Sequence, residues 1–234
     1  MRSLAILFSA LLAACTADAQ DGGDASSRRF EVGAFSSVML AGPHNVVVQV
    51  GPAASVRAEG PAKEIERLEI EVAGSDLRIG TKKGSWGFGS KRKPVTIYVT
   101  TPSLAGAEVA GSGDMRIDKV AGERFVAETA GSGDISIGSL RVSDAGFSIA
   151  GSGGIRAAGS ANRAKVEVAG SGNVDLAGFE ARTATVSILG SGNVSARARD
   201  TADVSIMGSG DVTLGGSAKC TVSKMGSGRV RCGA

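Results

Sequence analysis

A single histidine, His44, serves all 234 residues, and cysteine is almost as scarce, with Cys15, Cys220 and Cys232 far apart. One histidine and two distant cysteines in the folded part cannot fill a tetrahedral zinc site. Aromatic residues make up only 4% and proline contributes 5 residues. A core with so few aromatics must be built from small side chains. The net charge of +3 is too small to argue for nucleic acid as a partner. Past the N-terminus there is no apolar run of about twenty residues, so the mature chain is expected to hold no spanning helix. Phosphate-binding loops are missing too. Gly87-Phe88-Gly89 lacks the third glycine and the strand-to-helix setting of a dinucleotide fingerprint. No cofactor or metal is therefore expected.

What the chain has in quantity is glycine, 35 residues of it. Seven Gly-Ser-Gly triplets fill the C-terminal half. Their glycines are Gly111 and Gly113, Gly131 and Gly133, Gly151 and Gly153, Gly170 and Gly172, Gly190 and Gly192, Gly208 and Gly210, and Gly226 and Gly228. Successive triplets start 20, 20, 19, 20, 18 and 18 residues apart. A recurrence near twenty marks a solenoid in which each repeat is one coil.

The columns around the triplet define the coil. Two residues before it stand Val109, Thr129, Ile149, Val168, Ile188, Ile206 and Lys224, and four before it Ala107, Ala127, Phe147, Val166, Val186, Val204 and Val222. Between them lies a polar column that opens Glu108, Glu128, Ser148, Glu167. Two and four residues past the triplet the apolar positions resume, as in Met115 and Ile117 or Ile135 and Ile137. This alternation is the strand signature. Each repeat is thus a strand, a sharp glycine corner, a second strand and a less regular return. The expected fold is all-β, a parallel β-helix-like solenoid with about 18–20 residues per coil. The residue after the triplet is Asp114, Asp134, Gly154, Asn173, Asn193, Asp211 or Arg229, a column suited to turn hydrogen bonds.

Residues 1–19 read as a secretory signal peptide. Two cleavage sites compete. Leu12-Ala13-Ala14-Cys15 resembles a lipobox, with a lipoprotein signal over 1–14 and Cys15 as the acylated residue that anchors the chain to a membrane. Ala17-Asp18-Ala19 is an ordinary site for release. Residues 20–27 form a polar, Gly-containing tether. Residues 28–104 lack the triplet and make an irregular N-terminal β portion with one short helix over Pro61–Arg67, capping the solenoid; within it, Ala73 to Ile79 resembles a degenerate repeat. Residues 105–234 are the repeat solenoid. At its end the last coil presents an open strand edge. Either it associates with another copy, or Lys224, Arg229 and Arg231 blunt it by charge. Cys220 and Cys232 both fall on inward columns of that coil, as a disulfide or as two buried thiols.

The order of features resembles a known bacterial family. N-terminal strands, the short helix and Pro102-Ser103-Leu104 lead into Val109-Ala110-Gly111-Ser112-Gly113-Asp114, followed by Gly-Ser-Gly-[Asp/Asn]-[Val/Ile] repeats. This is similar to the head GIN domain family, labelled auto-transporter adhesins, over roughly residues 28–232. The resemblance implies an exported β-solenoid of the bacterial cell envelope. It implies no active site, and no translocator-like barrel is visible in the sequence.

Chemistry is sparse. One histidine cannot serve seven serines, and Gly-Ser-Gly-Asp is not a nucleophile elbow. Asp114 and Asp134, one rung apart, suggest calcium or paired acids, but the column continues as Gly, Asn, Asn, Asp, Arg and gathers no ligand set. Glu108, Glu128 and Glu167 read as a solvated ladder. One segment differs: Lys82, Lys83, Lys91, Arg92 and Lys93 surround Trp86 and Phe88 between two strands. Cations beside aromatics suit anionic glycans or lipid headgroups. The leading reading is a non-enzymatic, exported, adhesin-like or structural binding module. A carbohydrate-active β-helix enzyme and an end-to-end assembling protein are the alternatives.

Overall fold

Small apolar and polar residues alternate on both sides of every Gly-Ser-Gly corner, so each coil forms strands whose inward rows meet those of the next coil. The computed structural model describes residues 25–82 and 93–233. The N-terminal elements are β1 (Ala25–Phe30), β2 (Ser37–Gly42), β3 (Asn45–Val50), β4 (Ser55–Pro61), α1 (Ala62–Glu66), β5 (Leu68–Ala73), β6 (Asp76–Thr81) and β7 (Thr96–Thr101). The repeats supply β8 (Gly106–Gly111), β9 (Met115–Gly131), β10 (Ile135–Gly151), β11 (Gly154–Gly170), β12 (Asn173–Gly190) and β13 (Asn193–Gly208). The last coils hold β14 (Val212–Gly215), β15 (Lys219–Met225) and β16 (Val230–Cys232). From β8 onward every pairing is parallel, because each coil runs in the same sense as its neighbour. The parallel solenoid expected from the triplet spacing is the fold observed.

The return between strands is more regular than the sequence suggests. Strands β9 to β13 run nearly from one triplet to the next. In β10 the inward residues are Ile135 and Ile137, then Leu140 and Val142, then Ala145, Phe147 and Ile149. The steps of three, from Ile137 to Leu140 and from Val142 to Ala145, shift the alternation by one residue and turn the chain. A coil therefore has three short buried faces, and the return contributes core residues such as Leu140, Phe179 and Ala198. Phe147 and Phe179 meet edge to face with ring centroids 5.6 Å apart inside the core.

The corner explains the triplet. Gly131 has φ +133°, a conformation that side chains rarely adopt, and a Cβ there would strike the carbonyl oxygen of Gly111 one coil away. Gly133 is buried, and its Cβ would enter the carbonyl of Gly113 and approach Val109 Cγ1 to 2.8 Å. The middle serine of every triplet points to solvent.

The N-terminal coils do not stack in chain order. β2 lies between β6 and β8, and β3 lies between β7 and β9. The coil made by β6 and β7 is thus outermost, and the first coil of the chain is second in the stack. Antiparallel strands finish this end: β5 on β6, and β4 on β7 with β1 beyond it. α1 joins β4 to β5 and buries Ile65. Two expectations are corrected here. The tether is shorter than 20–27, because Ala25–Ser27 belong to β1 and pair with β4. Ala73 to Asp76 is a hairpin turn that reverses the chain between β5 and β6, not a degenerate corner. The far end differs in kind. β15 and β16 each have one neighbour among the described residues, so Val222 and Lys224, on inward columns, are exposed.

Candidate functional site

The column after each triplet forms a hydrogen-bond ladder between coils. Asp114 Oδ1 accepts from the Asp134 N–H (3.1 Å), and Asp134 Oδ1 from the Gly154 N–H (2.7 Å). Beyond the gap at Gly154, Asn173 Oδ1 accepts from Asn193 N–H (3.2 Å) and Asn193 Oδ1 from Asp211 N–H (3.1 Å). Asp211 accepts from the backbone N–H of Arg229 (2.9 Å) and from its guanidinium (3.3 Å), which together hold its carboxyl below the usual range. The carboxylates are thus engaged in stacking coils rather than converging on a ligand. Among the described residues no group of three His, Cys, Asp or Glu side chains is arranged to hold a metal ion.

Glu108 and Glu128 stack in register on β8 and β9. They line a shallow groove of about 370 Å3 with Ser37, Asp76 and Arg124. Partial burial, then Glu128 and Asp76, push the Glu108 carboxyl above its usual range. Ser148 interrupts the acidic row, and Glu167 pairs with Lys165 at 3.1 Å. Further ion pairs link adjacent coils on the outer faces, including Arg163 to Asp144 (2.7 Å) and Arg182 to Asp200 (3.1 Å). His44 is buried; its Nδ1 accepts from the Val95 N–H (3.4 Å), and its Nε2 lies 3.3 Å from Thr81 Oγ1. It stands at the corner between β2 and β3 on the N-terminal coils.

Of the basic aromatic segment, Lys82 and Lys93 are described. Lys83, Trp86, Phe88, Lys91 and Arg92 lie outside the described residues, as does Cys15. Lys82 Nζ donates to the Glu66 carbonyl at the end of α1 (2.7 Å), while Lys93 borders a small hollow with His44, Glu64 and Thr81. The segment therefore departs from the outermost N-terminal coil. At the other end Cys220 and Cys232 are joined as a disulfide, with Cα atoms 6.5 Å apart, tying β15 to β16. They are not buried as inward columns would be, because no described coil covers them; Cys220 is half-buried and Cys232 exposed.

One feature on the outer face escaped the sequence reading. The residue just before each triplet is Ala110, Ala130, Ala150 and Ala169 in the first four repeats, then Leu189, Met207 and Met225. These last three stack in register and are 57%, 54% and 70% exposed. The signal was present as a fourth column beside the three that carried the strand pattern.

The family described as "Putative auto-transporter adhesin, head GIN domain" matches residues 34–218. The chain belongs to this family. Several solved structures are similar to it in fold. A "putative adhesin" from Bacteroides fragilis has a TM-score of 0.84 at 22% identity, covering 89% of this chain and 97% of that one. A "putative lipid binding protein" from Parabacteroides distasonis has a TM-score of 0.69 at 24% identity, covering 90% and 97%. A "putative adhesin" from Parabacteroides merdae has a TM-score of 0.70 at 17% identity, covering 90% and 97%. The comparison with curated proteins gave no match. As a head GIN domain the chain is a structural β-solenoid of an adhesin family, located at the cell envelope or exterior.

Proposed function

We propose that this head GIN domain is a non-enzymatic, adhesin-like display module that holds anionic envelope material, either glycan or lipid headgroup, through the basic aromatic segment between Lys82 and Lys93. The observation that carries the reading is the division of each coil. Inward residues are consumed by the core, and outward residues stand in columns at the strand spacing of about 4.8 Å, displayed rather than gathered. Such a rod suits contact with an extended partner. The description of the Parabacteroides distasonis relative supports the lipid alternative. The test is binding of the purified chain to fractionated envelope material. It is compared with a variant carrying Ser at Lys82, Lys83, Lys91, Arg92 and Lys93. Loss of binding in the variant is expected; undiminished binding would remove the segment from the site.

The same proposal includes attachment. Acylation at Cys15 would tether the rod to a membrane by its N-terminal side, whereas cleavage after Ala19 would release it. Intact mass of the mature chain separates these outcomes.

A further inference from the structure

We infer that the C-terminal end of the rod is a docking surface for an anionic lipid membrane, separate from the 82–93 segment. Every large hydrophobic side chain exposed among the described residues lies in the last three coils: Leu189, Met207, Val222 and Met225. Leu189, Met207 and Met225 form one straight ridge. It is flanked by exposed serines, Ser187, Ser205 and Ser223 on the strand side and Ser191, Ser209 and Ser227 on the corner side, so no charge interrupts it. Around the corner from Met225 stand Arg229 and Arg231. Residues 216–233 contain Lys219, Lys224, Arg229 and Arg231 and no acidic residue, and of these Arg229 pairs with Asp211 of the preceding coil. The disulfide ties β15, which carries Met225, to β16, which carries Arg231.

An apolar ridge bordered by cations matches the boundary between acyl chains and anionic headgroups. The charge distribution also argues against a second copy of the chain as the occupant. Joining two C-terminal ends would oppose Lys219, Lys224 and Arg231 of one copy to the same cations of the other, with Arg229 already paired to Asp211. Stacking head to tail would favour β15 on β5, where Glu69 and Glu71 are exposed, but would set Arg229 and Arg231 of β16 and its corner against Arg28 and Arg29 of β1. A glycan or single-stranded nucleic acid is a poor fit, because residues 180–234 contain no aromatic ring on which to stack.

The test uses the unacylated chain from Gln20 onward, which contains the whole described fold. Co-sedimentation is measured with phosphatidylcholine vesicles and with vesicles containing phosphatidylglycerol. Binding to the anionic vesicles alone, weakened by salt, is expected. Replacing Leu189, Met207 and Met225 together by Ser should weaken it by about tenfold or more, since the apolar contact is lost. Lys219→Ser with Arg231→Ser should weaken it by up to about 25-fold, on the order of fivefold per cation close to the surface. Circular dichroism and thermal melting of these surface variants check that the fold persists. The serine variant of the 82–93 segment should keep a vesicle binding that the ridge substitutions weaken further, any part it loses belonging to that segment. Equal binding by the ridge variant overturns the inference, as does loss confined to the 82–93 variant. Light scattering that shows a dimer abolished by the ridge substitutions would overturn it in favour of a second copy.

Discussion

At the scale of single residues, glycine acts here through what a Cβ would touch. Gly131→Ala combines an unfavourable φ with a clash against the Gly111 carbonyl. It should destabilise the fold by about 2 kcal/mol or more. At Gly122 an added methyl group would meet nothing within 4 Å, and φ is not positive, so Gly122→Ala should be neutral or stabilising by about 0.5 kcal/mol. Chemical denaturation of both variants checks the contrast. Glu108 offers a test through pH. Its pKa is raised by burial and by Glu128 and Asp76, so the fold binds this proton more tightly than the unfolded chain does. Stability should therefore fall as pH rises from 4.5 toward the folded-state value. Glu108→Gln is expected to melt higher than the parent at pH ~7 and at the same temperature near pH ~3.5, where the parent is protonated. An equal shift at both pH values would mean the gain does not come from charge.

At the scale of elements, legibility depended on parity. Strands on either side of a triplet, such as 125–130 and 135–137, keep strict alternation and were readable. The return was not, because the step from Ile137 to Leu140 moves the inward set from odd to even positions and looks like irregularity. Glycine next to serine was an ambiguous sign as well. At Gly131 it turns a coil, while at Gly74 it closes a hairpin, and the difference lies in whether the following strand meets a neighbour in the same sense or the opposite one. The end coil is the element most dependent on a covalent brace, having one neighbouring coil among the described residues. Cys220→Ala with Cys232→Ala should cost about 3 kcal/mol at most by loop-closure entropy, since the bridge spans 12 residues. Hydrogen exchange should accelerate in β15 and β16 and stay slow in β10 to β12. Uniform acceleration along the rod would show that the bridge acts on the whole stack instead.

For the molecule as a whole, the two ends are finished by different means. Helix α1 and antiparallel strands close the N-terminal end, and a disulfide, basic side chains and exposed apolar residues mark the other. Between them the outer faces carry inter-coil ion pairs and the Asp/Asn ladder. Exposed pairs of this kind contribute about 0–1 kcal/mol each, so their main effect is register. The sequence by itself determined the solenoid, its coil length and its inward columns, because local alternation and a recurring corner both repeat at one period. Only the tertiary structure decided that the first coil of the chain lies second in the stack, since residues 28–104 carry no repeat from which neighbours could be paired. It likewise decided that Leu189, Met207 and Met225 form one exposed line, because side chains 18 residues apart become neighbours only when coils stack in register.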